Sequence, residues 1–144
     1  MAAAWPATTW LLIDGRELRA AFLREAVRHL GWEDRVEVLG DRAERVGRSD
    51  IRRRCSLVVA RAFGPPAVTA ECAAPLLRPG GHLVVTDPPG GDAGRWPEEG
   101  LAALGLVRLR GLVDPVALQI FRQETLCPDR YPRRVGLPAK RPLF

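Results

Sequence analysis

The sequence predicts an α/β sandwich of three layers built on a mostly parallel sheet. Short apolar runs of strand length alternate with stretches whose apolar residues recur at helical spacing. The run Ser56-Leu57-Val58-Val59-Ala60 barely alternates, as a strand covered on both faces does. Glycine or proline stands at the end of most runs, where the chain must turn.

Trp10-Leu11-Leu12-Ile13 reads as a buried strand that stops in the turn Asp14-Gly15. From Glu17 to Leu30 a helix is expected. Leu18, Phe22, Leu23, Val27 and Leu30 fall on its core face, Arg19, Arg24 and Arg28 lie away from it, and Gly31 stops it. Val36 to Leu39 is a second strand, closed by Gly40-Asp41, with a short helix or turn from Ala43 to Val46. Residues 47–54 read as a polar, Arg-rich connection to the third strand, 56–60. Pro65-Pro66 opens a helix to about Leu77, since proline is tolerated in a first helical turn. Arg78-Pro79-Gly80-Gly81 is a tight turn into a fourth strand, 82–86, and residues 87–96 form a loop rich in glycine and proline. A helix over 97–104 and two strands, 106–109 and 117–121, complete the pattern.

The chain has 144 residues, enough for one domain with a genuine core. Its net charge of +5 and pI near 10.0 favour an acidic partner. That signal is discounted by composition, because Lys140 is the one lysine and asparagine is absent. The last fifteen residues are better evidence. Arg130, Arg133, Arg134, Lys140 and Arg141 occur there with three prolines and no acid, an arm suited to a polyanion such as RNA. Cys55, Cys72 and Cys127 have no disulfide or metal spacing, which points to a reducing cytoplasm and no metal. No apolar run reaches membrane-spanning length. His29 and His82 are too isolated for a catalytic triad, and no GxxxxGK(S/T) loop occurs.

Ligands of open α/β sheets bind beyond the carboxyl ends of the strands. Asp14 follows the first strand there, where an acid accepts hydrogen bonds from ribose hydroxyls. Asp41 and the Ala43-Glu44 pair follow the second strand, Arg61 the third and Asp87 the fourth. Taken singly, each also suits a turn or a solvated surface. Asp87-Pro88-Pro89-Gly90 is similar to the Asp/Asn/Ser-Pro-Pro-aromatic motif of amino-group methyltransferases. It lacks the aromatic residue and lies one strand too late, so it reads as a loop.

Several segments, in order, resemble the glucose-inhibited division protein B family, the ribosomal small-subunit RNA methyltransferases G. They are Leu12-Ile13-Asp14-Gly15-Arg16, Gly40-Asp41-Arg42-Ala43-Glu44, Val58-Val59-Ala60-Arg61-Ala62 and Leu76-Leu77-Arg78-Pro79-Gly80-Gly81. The most specific match is the arm, from Arg130-Tyr131-Pro132-Arg133-Arg134 to Pro138-Ala139-Lys140-Arg141-Pro142-Leu143. The resemblance implies a Rossmann-like class I fold, S-adenosylmethionine as methyl donor, and transfer to N7 of a guanine in 16S ribosomal RNA. It further implies that Ala43, Glu44 and Arg61 contact the cofactor, with Asp14 a ribose ligand. The small ribosomal subunit or its RNA is the expected partner, met by the arm cations. No catalytic residue is assigned.

The chain also departs from the family. The GxGxGxPG loop after the family's first strand and the helical segment before it have no counterpart here, and Thr86-Asp87-Pro88 replaces a common Lys-Gly. Met1 is therefore expected to fall inside the family's domain. A partial methyltransferase domain is expected over 1–127 and the basic arm over 128–144. Loss of the central strand would leave two strand edges unpaired, at about 1–3 kcal/mol per orphaned backbone group. Three readings follow: a methyltransferase with its start assigned too far downstream, a non-catalytic RNA-binding relative, or an unstable fragment.

Overall fold

The computed structural model describes residues 2–88, 93–112 and 117–144. Its elements are β1 (Trp10–Ile13), α1 (Glu17–His29), β2 (Val36–Leu39), α2 (Ala43–Val46), β3 (Cys55–Ala60) and α3 (Pro66–Ala73). They continue through β4 (Leu77–Thr86), α4 (Glu98–Ala102), β5 (Leu106–Leu112), β6 (Leu118–Gln123) and α5 (Leu137–Lys140). The chain forms two compact units, Met1–Ala43 and Glu44–Phe144. None of the described helices is long and apolar enough to cross a membrane.

In the first unit β1 and β2 pair in parallel, from Trp10 opposite Val36 to Ile13 opposite Leu39. The connecting α1 carries Glu17 in its first turn and Arg28 and His29 in its last, the arrangement its dipole favours. Gly31, at φ 64, takes the left-handed conformation that ends the helix. Gly40 closes β2 beneath an ion pair: a Cβ there would stand 2.7 Å from an Arg24 nitrogen and 2.9 Å from Glu17 Oε2. The expected core face of α1 is covered only in part, at Val27, which is buried, and Leu23, which is half-buried. Ala20 and Val27 are buried, whereas Leu18 is 88% and Phe22 69% exposed. The small side chain of Ala20 suits close approach to β2, whereas helical spacing of large apolar residues does not by itself say which stripe is covered.

The second unit holds a four-stranded sheet in the order β3-β4-β6-β5. β3 and β4 are parallel, while β6 is antiparallel to both its neighbours. The mostly parallel sheet expected is thus mixed here. Residues 113–117 are too short a connection for a parallel crossover, which needs a dozen or more, so β5 and β6 pair antiparallel. α3 ends earlier than expected and gives way to a 3-10 turn, Ala74–Leu76. β4 starts at Leu77 and absorbs the expected turn as an irregularity in its register with β3, between Cys55 and Leu57. Gly81 is needed there, because a Cβ would lie 2.9 Å from the Arg78 carbonyl oxygen and 3.1 Å from that of Cys55. The expected loop over 87–96 falls partly outside the described residues. Leu77, Leu83, Leu101, Leu104, Leu106 and Phe121 fill the core, with Trp96 tilted on Phe121 at 4.8 Å between ring centres. Among the described residues β1 pairs only with β2 and β3 only with β4, so each has one edge without a strand partner.

Candidate functional site

Asp14 and Ala43 belong to the first unit, Glu44 and Arg61 to the second. Asp14 is half-buried just beyond β1. Its Oδ1 accepts the Arg16 N–H at 2.9 Å and its Oδ2 stands 3.9 Å from Arg19. Ala43 is buried at the start of α2. Next to it Glu44 is also buried, and its Oε1 accepts the backbone N–H of Gly136 at 3.0 Å. Glu44 therefore holds the carboxyl-terminal arm.

Arg61 is exposed past the end of β3, followed by Ala62 in the left-handed region at φ 51. It lines a cleft of about 260 Å³ beyond the carboxyl ends of β3 and β4, together with Phe63, Asp87, Arg95 and Trp96. Glu44 is not among the cleft's lining residues, so within the second unit the two expected cofactor contacts sit at separate places. Asp87 is also part of the cleft. Its side chain is 3% exposed, and its carboxylate accepts Arg95 at Oδ1 (3.0 Å) and the Trp96 indole N–H at Oδ2 (3.1 Å).

The arm is a docked element of the second unit. Tyr131, Pro132 and Pro138 are buried, and Gly136 at φ 79 leads into α5, where proline in the first turn is tolerated. Of the five arm cations, Arg133 turns inward. It gives its backbone N–H and Nε to Glu71 Oε1, each at 2.8 Å, and a terminal nitrogen to Oε2 at 2.6 Å. Arg130, Arg134, Lys140 and Arg141 are exposed. Arg130 lies over the Tyr131 ring at 5.0 Å.

The residues that seat the arm come largely from the connection read as a polar linker. Arg52 donates to the carbonyls of Gly47, Tyr131, Cys127 and Pro128 between 2.7 and 3.1 Å. Arg48 reaches the Pro132 carbonyl at 2.7 Å, and Arg53 reaches Asp129 at 2.8 Å. These carbonyls lie outside the sheet and lack its ladder bonds, and a guanidinium's five donors can satisfy several at once. One signal for the seat was present in the sequence: Glu71 is the one charged residue in the stretch 66–77, which is otherwise apolar but for Thr69. The same acids act on a neighbouring thiol. Burial pushes the Cys72 thiol up to about 12, and the Glu44 and Glu71 carboxylates add to the shift.

The family model described as rRNA small subunit methyltransferase G (GidB) matches residues 1–87. A curated relative from Prochlorococcus marinus, named ribosomal RNA small subunit methyltransferase G, is 34% identical over 99% of this chain and 60% of its own length. Among solved structures, a protein from Corynebacterium glutamicum superposes with a TM-score of 0.58 at 25% identity, over 82% of this chain and 62% of that one. The S-adenosylmethionine-dependent methyltransferase SibL superposes at 0.56 with 16% identity, over 86% and 46%. The fold is the Rossmann-like one of class I methyltransferases. The chain spans about six tenths of the length of the curated relatives it matches. With the family model matched over more than half its residues, the chain belongs to the GidB family of ribosomal RNA small subunit methyltransferases G.

Proposed function

We infer that this protein serves methylation of N7 of a guanine in 16S ribosomal RNA, with S-adenosylmethionine as donor, in the cytoplasm. The observation that carries the reading is the curated relative named ribosomal RNA small subunit methyltransferase G, aligned along 99% of the chain; guanine N7 is what the family resemblance implies. When bound, the cofactor supplies an electrophilic methyl group on sulfur. Asp14 suits its ribose, because each carboxylate oxygen keeps a lone pair beyond its contacts with Arg16 and Arg19. Ala43, Glu44 and Arg61 are the remaining residues assigned to it. Guanine N7 has a lone pair and no proton. The work left to the chain is to align that lone pair and exclude water, with no general base. Arg130, Arg134, Lys140 and Arg141 present positive charge to RNA phosphates from a seated arm.

These 144 residues by themselves should bind RNA and be weakly active or inactive in methyl transfer. The test is incubation with small ribosomal subunits and labelled S-adenosylmethionine, followed by nucleoside analysis. A small yield of 7-methylguanosine supports the reading; a different methylated nucleoside overturns it. A second reading, RNA binding without transfer, is favoured by the unpaired edges of β1 and β3. Under it, calorimetry with S-adenosylmethionine shows no heat while RNA binding stays sensitive to salt.

A further inference from the structure

The cleft beyond β3 and β4 holds a charged group that the proposed reaction has not used. Asp87 is nearly wholly buried, and a carboxylate so placed is costly unless hydrogen bonds compensate it. Arg95 and the Trp96 indole provide two, one on each oxygen. Two ionised oxygens have about four acceptor positions between them. After both partners are counted the carboxylate keeps acceptor capacity, and Asp87 is among the residues that line the cleft.

We propose that this cleft is a nucleobase pocket in which the Asp87 carboxylate reads the Watson–Crick edge of guanine through N1–H and the 2-amino group. Among the four RNA bases, guanine alone offers two adjacent donors on that edge, so the same carboxylate rejects adenine, cytosine and uracil. The cleft's volume of about 260 Å³ is enough to admit one base. Phe63 lines the cleft and is 49% exposed, an aromatic face on which an unstacked base can lie. With its Watson–Crick edge on Asp87, the purine turns N7 away from the carboxylate. This inference rests on the proposed guanine-N7 chemistry and adds a residue that selects the base.

A structural alternative is that Asp87 merely fastens Arg95 and Trp96 to the end of β4. Nucleotide titrations of the full chain by ligand-detected NMR separate the two. The probes are guanosine, inosine and adenosine 5′-monophosphates at one fixed salt concentration. Inosine keeps N1–H and lacks the 2-amino group, so it should bind about tenfold more weakly than guanosine, the loss expected for one hydrogen bond to a charged acceptor. Adenosine should bind more weakly still. In Asp87→Asn the guanosine preference over inosine should vanish. In Phe63→Ala, at a half-exposed position, all three nucleotides should weaken together. Equal affinities of the native chain for guanosine and inosine monophosphates overturn the proposal, as does a preference that survives Asp87→Asn. If Asp87→Asn fails to fold, the native ratio and Phe63→Ala still decide. Failure here with 7-methylguanosine still formed on the ribosomal subunit leaves the methyltransferase reading intact. A guanosine preference together with a different methylated nucleoside sinks that reading and not this one.

Discussion

Arg133 and Glu71 form a three-point contact that ties the carboxyl-terminal arm to α3. Glu71 is fully buried, and its two oxygens accept the backbone N–H, Nε and one terminal nitrogen of Arg133 between 2.6 and 2.8 Å. The hydrogen bonds that Arg133 donates to Glu71 are the main cause that raises the Arg133 pKa above its ordinary value, so the guanidinium stays charged wherever the fold persists. Breaking such a pair from one side strands a charge in the interior. Glu71→Gln should therefore cost about 3–5 kcal/mol in chemical denaturation. The paired change Glu71→Leu with Arg133→Met removes both charges and should recover most of that loss. If Glu71→Gln loses less than about 1 kcal/mol, the contact is not what seats the arm.

The arm's cations divide into those that hold it and those it displays, and the two sets should respond differently to substitution. Arg52 serves four carbonyls, which a lysine ammonium cannot match in geometry. Arg52→Lys should lower the melting temperature, with a stability loss of about 1–3 kcal/mol from carbonyls left unpaired. Arg130→Ala, Arg134→Ala and Arg141→Ala, at exposed positions, should leave the melting temperature nearly unchanged. Each should instead reduce the slope of log affinity against log salt for single-stranded RNA by about 0.7. A melting shift without a slope change in the exposed set would contradict this division.

Much of the fold was legible because it rests on local signals. The apolar run at β3 and the glycines that close β2 and α1 each act through their own few residues, and those elements lie close to where the pattern puts them. Arg52 was not legible, because its role depends on carbonyls 75 to 79 residues away that no spacing rule connects to it. The same holds for Glu44. Its position suggests a nucleotide ligand, and only the folded arm brings the Gly136 N–H to its carboxylate. Asp87 was visible as an acid at a strand end, yet the Trp96 indole that helps bury it lies across a glycine-rich stretch with no periodicity.

Helix α1 offers a direct test of which stripe matters. Leu18 and Phe22 are two of the three large apolar side chains in its first two turns, and both are exposed, whereas the third, Leu23, is half-buried. Leu18→Lys and Phe22→Lys should each change stability by no more than about 0.5 kcal/mol, as surface substitutions do. Ala20 has no exposed surface, and Ala20→Leu should cost about 1–3 kcal/mol through overpacking. Urea denaturation of the three variants checks the order. A large loss in Phe22→Lys would mean that the covered face is the one helical spacing alone suggests.

The buried thiols predict how stability falls in alkali. Burial pushes Cys72 up to about 12 and Cys127 up to about 11; at Cys127 burial outweighs the opposing pull of the Arg52 and Arg53 charges. In the unfolded chain both thiols ionise near the ordinary value of 9.0. Above that pH the unfolded state binds fewer protons than the native state, so the slope of stability with pH is negative. The contribution of the two thiols is fully present below about pH 9 and is lost as pH rises towards 11 and 12. Cys72→Ala should flatten that decline in melts taken between pH 9 and pH 11. Reactivity follows the same sign, because the thiolate is the nucleophile. Near pH 8 a disulfide reagent should modify Cys55, which is half-buried, well before Cys72 or Cys127, and all three at similar rates once denaturant is added. Rapid native labelling of Cys72 would show that α3 opens on the timescale of the reagent, and would separate that local opening from global unfolding.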